Sequence, residues 1–183
     1  AYSHNLGVAP EMVIVKVRST VDAWLCATKF TGSNFGSGRL NTTGTVNTIT
    51  YSDGIMSAAP TSTTFSMGTD PSFNGSAKTY VAYLFATCPG VSKVGSYTGT
   101  GTTKQVDCGF AAGARFVLIK RTDSTGDWYV WDTARGVVSG NDPYLLLNST
   151  AAEVTTTDYI DPYSAGFELS STAPAALNAS GGT

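Results

Sequence analysis

The chain has 183 residues, 42% of them hydrophobic and 13% charged, with a formal net charge of −2 at pH 7. That charged share is well below the roughly 25% of an average globular protein. With no basic tract, it argues against nucleic-acid binding through phosphate neutralisation. No apolar run approaches the roughly 18 residues of a membrane-spanning helix and no signal peptide is visible, so membrane insertion is not expected. The chain opens on Ala1 rather than Met, as a processed or excerpted polypeptide would.

Residues 1–11 read as a loop or edge segment, punctuated by Asn5, Gly7 and Pro10. Met12-Val13-Ile14-Val15-Lys16 then forms a short β-branched strand, with Trp24 on its return. Residues 27–50 are rich in Gly, Ser, Asn and Thr, a composition suited to strands and turns. Thr64-Phe65-Ser66-Met67 alternates, so Phe65 and Met67 share a buried face. Tyr80-Val81-Ala82-Tyr83-Leu84-Phe85-Ala86 is a strongly apolar strand.

The second half repeats this order. Phe116-Val117-Leu118-Ile119-Lys120 matches residues 12–16, and Trp128 lies at the same spacing from its lysine as Trp24. Asp123, Ser124, Thr125 and Gly126 supply a turn, because Asp and Ser bond their own backbone and Gly tolerates positive φ. Gly7 corresponds to Gly109, residues 40–43 to 147–150, 64–67 to 166–169 and 74–79 to 178–183. The period of about 104 residues is far too long for a solenoid and about right for a small β-sandwich. No stretch shows a clear 3.6 period, so almost no helix is expected. The expected fold is therefore all-β: two tandem antiparallel β-sandwich modules, 1–92 and 93–183, related by an internal repeat.

The copies differ at their ends. The first continues past Thr79 into residues 80–86, whereas the second reaches only Thr183; residues 93–103 form a lead-in without counterpart before Ala1. Each copy is thus expected to lack a strand that the other owns, leaving an exposed edge that a neighbouring copy or a longer polypeptide would fill.

Few residues point to chemistry. Trp24 and Trp128 recur in register, which predicts a shared core role, with residues 12–17 and 116–121 as interior strands. Tyr129 and Trp131 share one strand face and have only Leu25 and Ala27 opposite them in the first copy, so they either stack on a sugar ring or pack against a neighbouring module. Asp132-Thr133-Ala134-Arg135-Gly136 suggests an Asp132–Arg135 bridge across a turn. Glu153, Asp158 and Asp161 surround Tyr159 and Tyr163. Paired carboxylates suit glycoside hydrolysis, but solvated turn acids fit the same pattern. Tyr159 and Tyr163 join Tyr129 and Trp131 as candidate glycan contacts. Asn41, Asn74, Asn148 and Asn178 lie in N-x-Ser/Thr patterns at repeated turn positions, where a turn role competes with glycosylation. Cys26, Cys88 and Cys108 form no CxxC pair, and His4 is the sole imidazole. Neither metal, cofactor nor catalytic residue is expected, the cysteines reading as small hydrophobes of a reducing cytoplasm.

With these motifs in place, the chain resembles a family of repeated domains in virion proteins of tailed bacteriophages. The resemblance lies in Gly7 to Pro10, Ile119 to Arg121, Asp123 to Trp128, Asp132 to Gly136, Tyr144 to Glu153, Gly166 to Leu169 and Tyr80 to Ala86. The first copy departs from it: Asp22-Ala23-Trp24 replaces Gly-Asp-Trp and the Asp-x-x-Arg-Gly element is missing. The resemblance implies a jelly-roll or lectin-like sandwich in a tail fibre or other appendage, located in the virion after assembly in the host cytoplasm. Expected partners are further copies, other virion proteins and a host-surface glycan. The alternatives are a purely architectural capsid decoration or assembly protein and an envelope-glycan hydrolase.

Overall fold

The computed structural model describes residues 1–183 and is all-β, with fourteen strands arranged in antiparallel sheets and two four-residue helices. The chain divides into two compact units, residues 1–41 with 46–87 and residues 42–45 with 88–183.

In the first unit the strands are β1 (Tyr2–Ser3), β2 (Met12–Val17), β3 (Trp24–Thr28), β4 (Asn34–Arg39), β5 (Asn47–Thr50), β6 (Met56–Ala58), β7 (Thr64–Met67) and β8 (Tyr80–Phe85), with helix α1 (Pro71–Asn74) before β8. Five strands form one sheet in the order β5-β4-β3-β2-β8, and three form another in the order β1-β7-β6. Period-2 alternation places Val13, Val15 and Val17 of β2 inward, as it does Phe65 and Met67 of β7. One apolar cluster draws on both sheets and the helix: Val13, Val15, Leu25, Ala27 and Phe35 from the larger, Met56, Phe65 and Met67 from the smaller, and Phe73 from α1. Asp70 caps α1 by accepting the Ser72 N–H at 2.8 Å, and Pro71 suits a first turn where an N–H would be unpaired anyway.

The second unit contains β9 (Lys104–Asp107), β10 (Phe116–Lys120), β11 (Trp128–Asp132), β12 (Leu145–Leu146), β13 (Ile160–Tyr163), β14 (Gly166–Leu169) and helix α2 (Ala175–Asn178). Its two three-stranded sheets run β10-β11-β12 and β13-β14-β9. Val117, Ile119, Tyr129, Trp131, Ile160, Phe167, Leu169 and Leu177 form its core. Residues 42–45 belong to this unit, where Thr43 O accepts the Gly126 N–H at 2.9 Å.

The hairpins β2–β3 and β10–β11 share their local contacts. Lys16 lies opposite Trp24 and Lys120 opposite Trp128. Each lysine donates to the carbonyl of the next residue, Val17 O at 2.9 Å and Arg121 O at 2.8 Å. Each tryptophan backbone N–H is taken by an asparagine, Asn41 Oδ1 at 3.1 Å and Asn148 Oδ1 at 2.8 Å. Each tryptophan carbonyl accepts from the preceding leucine, Leu40 or Leu147, at 3.0 Å.

Three expectations need correction. Phe116–Lys120 is not interior: β2 lies between β3 and β8, whereas β10 ends its sheet because no strand stands where β8 stands beside β2. The tryptophans also differ in burial. Trp128 is 4% exposed, but Trp24 is only partly buried and faces an open recess. Residues 93–103 form no strand; Tyr97 instead donates its hydroxyl to Leu177 O at 2.6 Å and sets its ring edge-on to Phe167.

Candidate functional site

Tyr129 and Trp131 do share a face of β11, and that face is inward. Their rings stack 5.6 Å apart at 11°, and Tyr144 packs against both at 5.3 and 5.6 Å. Trp131 is completely buried and Tyr129 is 7% exposed, so neither offers a ring face to a sugar. This corrects the stacking expectation; the reason is the apolar contact made when Tyr144 and the β13–β14 sheet cover the aromatic face. Burial, with smaller contributions from the nearby Asp127, Tyr144 and Tyr159, pushes the Tyr129 hydroxyl up to about 12. Tyr159 extends the cluster by stacking on Tyr144 at 5.7 Å and is only partly buried. Tyr163, at the end of β13, pairs across the strand with Gly166 and takes no part in the ring contacts of that cluster.

Asp132 and Arg135 meet as the motif suggests. Asp132 Oδ1 accepts the backbone N–H groups of Ala134 and Arg135 at 3.0 and 2.9 Å, and its Oδ2 pairs with Arg135 Nη1. Arg135 Nε also reaches Glu153 Oε1 at 2.9 Å. This is a half-exposed clamp between a turn and a loop. Glu153 is thus engaged by a cation, and Asp161 Oδ1 accepts the Gly140 N–H at 3.3 Å.

The carboxylate with the most altered chemistry is one the motifs missed. Asp142 is completely buried, accepts the Val138 N–H at 2.7 Å through Oδ1 and leaves Oδ2 unpaired. Burial first, then the charges of Asp161 and Asp158, push its carboxyl up to about 6, against the opposing Val138 N–H bond. In sequence it is one Asp in Gly-Asn-Asp-Pro, which reads as an ordinary turn, and nothing local signals burial.

An open recess lies in the first unit, about 720 Å³ in volume and lined by Lys16, Arg18, Asp22, Trp24, Tyr80 and Tyr83 among others. β3 brings Trp24 beside Lys16, and β8 brings Tyr83, 47% exposed, opposite Ile14. Asp22 is held below its ordinary carboxylate value, first by the Ala23 N–H at 2.8 Å and then by Ser72, Lys78 and Lys16, so it stays anionic. Aromatic faces beside groups of both charge signs can stack on a ring and hydrogen-bond to its substituents. This grouping was missed in sequence because its members come from β2, β3, the loop between them and β8.

The sole imidazole is held in structural contacts. His4 lies 3.2 Å from Thr61 O through Nε2 and accepts the Leu6 N–H through Nδ1. Cys26 is buried, its thiol pushed up to about 12, while Cys88 and Cys108 are free thiols. No group of three or more His, Cys, Asp or Glu side chains is placed to hold a metal ion. All four asparagines of the N-x-Ser/Thr patterns make turn bonds: Asn74 joins Tyr2 Oη to Gly68 O, and Asn178 joins Thr100 N to Thr102 O.

The family model described as a domain of unknown function (DUF7483) matches residues 1–183. The chain belongs to the DUF7483 family. Its span takes in both compact units, the recess around Trp24 and the aromatic core around Trp131. No curated protein and no solved structure matches the chain.

Proposed function

We propose that this DUF7483 chain is a non-enzymatic structural component of a tailed-bacteriophage virion, a tail-fibre or appendage part built from two tandem β-sandwich modules related by an internal repeat. The carrying observation is the pair of hairpins with one set of lysine, tryptophan and asparagine contacts. Tandem copies of one β-module are a means of building length, and the sequence resemblance to virion repeats supplies the setting. Its partners are then further copies and other virion proteins. Immunogold labelling of intact phage particles that encode this sequence tests the reading: label on the tail or an appendage supports it. Absence of the chain from purified particles overturns it.

A second role, host-surface attachment through a glycan, is favoured by the recess beside Trp24 and Tyr83. The cationic Lys16 and Arg18 on its rim suit an acidic sugar. Binding of host polysaccharide that falls at least tenfold in Trp24→Ala supports attachment. Binding unchanged in that variant, with the fold intact, leaves architecture alone as the role.

A further inference from the structure

We propose that the outer edge of β10 is an acceptor for an additional strand, and that its occupant is an extended, uncharged, aromatic-rich peptide segment patterned like Tyr80–Phe85. The choice of occupant rests on the repeat reading above; the openness of the edge rests on backbone geometry alone.

The edge is open in a defined way. Thr133 N–H donates to Arg115 O at 3.0 Å, so Arg115, Val117 and Ile119 direct their backbone groups toward β11. By the alternation of an antiparallel ladder, Phe116, Leu118 and Lys120 direct theirs to the unoccupied side. β10 also lacks the usual guards of an exposed edge. It has no proline, Phe116 is 60% exposed, and its one charge, Lys120, turns back to bond Arg121 O and lie 6.0 Å over the Trp128 ring.

The first unit shows what fits there. β8 pairs with β2 along its whole length, Met12 opposite Phe85, Ile14 opposite Tyr83, Lys16 opposite Val81 and Val17 opposite Tyr80. Just before that ladder, Arg18 N–H donates to Thr79 O at 2.7 Å. The second unit has the same entry bond, Thr122 N–H to Thr183 O at 2.6 Å. A strand approaching from the Thr183 side would therefore meet β10 in the β8 register: its first residue opposite Arg121, its fourth opposite Leu118 and its sixth opposite Phe116. Helix α2 does not obstruct this, because α2 lies against β10 as α1 lies against β2, and β8 still pairs there. The aromatic at the fourth position would cover Leu118 as Tyr83 stands opposite Ile14. This is β-augmentation, in which main-chain bonds give affinity and alternate side chains give register.

The test uses the full 183-residue chain and a synthetic peptide of the sequence 79–86, with lysines added at both ends for solubility. Amide hydrogen exchange is read residue by residue. The expected result is at least tenfold slower exchange at Phe116, Leu118 and Lys120 with the peptide, and no change with a scrambled peptide. Leu118→Pro removes one outward N–H, a change that an edge strand tolerates, so the variant should fold and lose the protection. Unchanged exchange at saturating peptide, or equal protection in the folded Leu118→Pro variant, would overturn the proposal. Protection of these amides without peptide, rising with protein concentration, would also overturn it by assigning the edge to a second copy.

Discussion

The hairpins β2–β3 and β10–β11 carry the same lysine, tryptophan and asparagine contacts, yet one sits inside a five-stranded sheet and the other at the margin of a three-stranded one. Their inward faces differ as well. Where β3 presents Leu25 and Ala27, β11 presents Tyr129 and Trp131. The first unit obtains its aromatics elsewhere: Phe35 of β4 stacks on Tyr51 at 5.2 Å, and Phe30 lies 6.3 Å from Phe35. The second concentrates them on β11 and closes them with Tyr144 and Tyr159. The two regions thus share these local contacts while the volume beneath them is filled by different elements. Close packing requires that the space be filled, not that one strand fill it.

The largest effect that probes this comparison is truncation of the paired tryptophans. Trp128→Ala should destabilise the second unit by about 3–5 kcal/mol, the range for a buried aromatic with its cavity. Trp24→Ala, at the wall of an open recess, should cost the first unit roughly half of that or less. Chemical denaturation followed by hydrogen exchange in each unit separates the two. Equal losses would show that the environments match more closely than the burial indicates.

Next comes Asp142, which has no partner in the first unit. Its folded-state carboxyl is raised to about 6 from an ordinary value of 3.8. The folded chain therefore holds a proton that the unfolded chain has lost. The resulting stability is fully present below the ordinary value and disappears as pH rises through about 6. Asp142→Asn should flatten that decline, raising stability at pH 8 by about 1–3 kcal/mol and changing little at pH 4. Thermal melts across pH 4–8 check it; parallel curves for parent and variant would contradict the burial of the charge.

Removing the asparagine caps is a smaller and more symmetrical perturbation. Asn41→Ala and Asn148→Ala each delete the bond to a tryptophan backbone N–H, worth about 1 kcal/mol. Asn148 should cost more, because it also donates to Asp127 Oδ1 at 2.6 Å. Equal midpoint shifts on urea unfolding would mean the second bond adds nothing. The smallest effect is expected at Arg135, whose ion pairs to Asp132 and Glu153 are half exposed. Arg135→Ala should change stability by less than about 1 kcal/mol and less still in high salt. A larger, salt-insensitive loss would make the clamp a true anchor of the second unit.

Much of the fold was legible in the residues themselves. Alternation placed Phe65, Met67, Phe167 and Leu169 inward, and the Asp123–Gly126 cluster fell between β10 and β11. Such features depend on neighbours within a few positions, so local pattern carries them. The candidate site was not legible in this way. Tyr129 and Trp131 read equally as binding or packing residues, because two aromatics on one strand face look the same whether that face is covered or bare. Only the placement of Tyr144, Ile160 and Leu169 over them decided for packing.

What the sequence determined by itself is the all-β character, the hairpin strands with the Asp123–Gly126 turn and the Asp132–Arg135 contact across its turn, all consequences of backbone preferences and short-range interactions. The tertiary structure alone decided which strand is an edge, which carboxylate is buried and which aromatics meet the recess. Those properties depend on residues distant in sequence arriving at the same place: β8 comes to β2 across more than sixty intervening residues, and Asp142 meets Thr157 O at 2.9 Å. Burial and pairing are properties of the assembled surroundings rather than of the residue, so no local pattern records them.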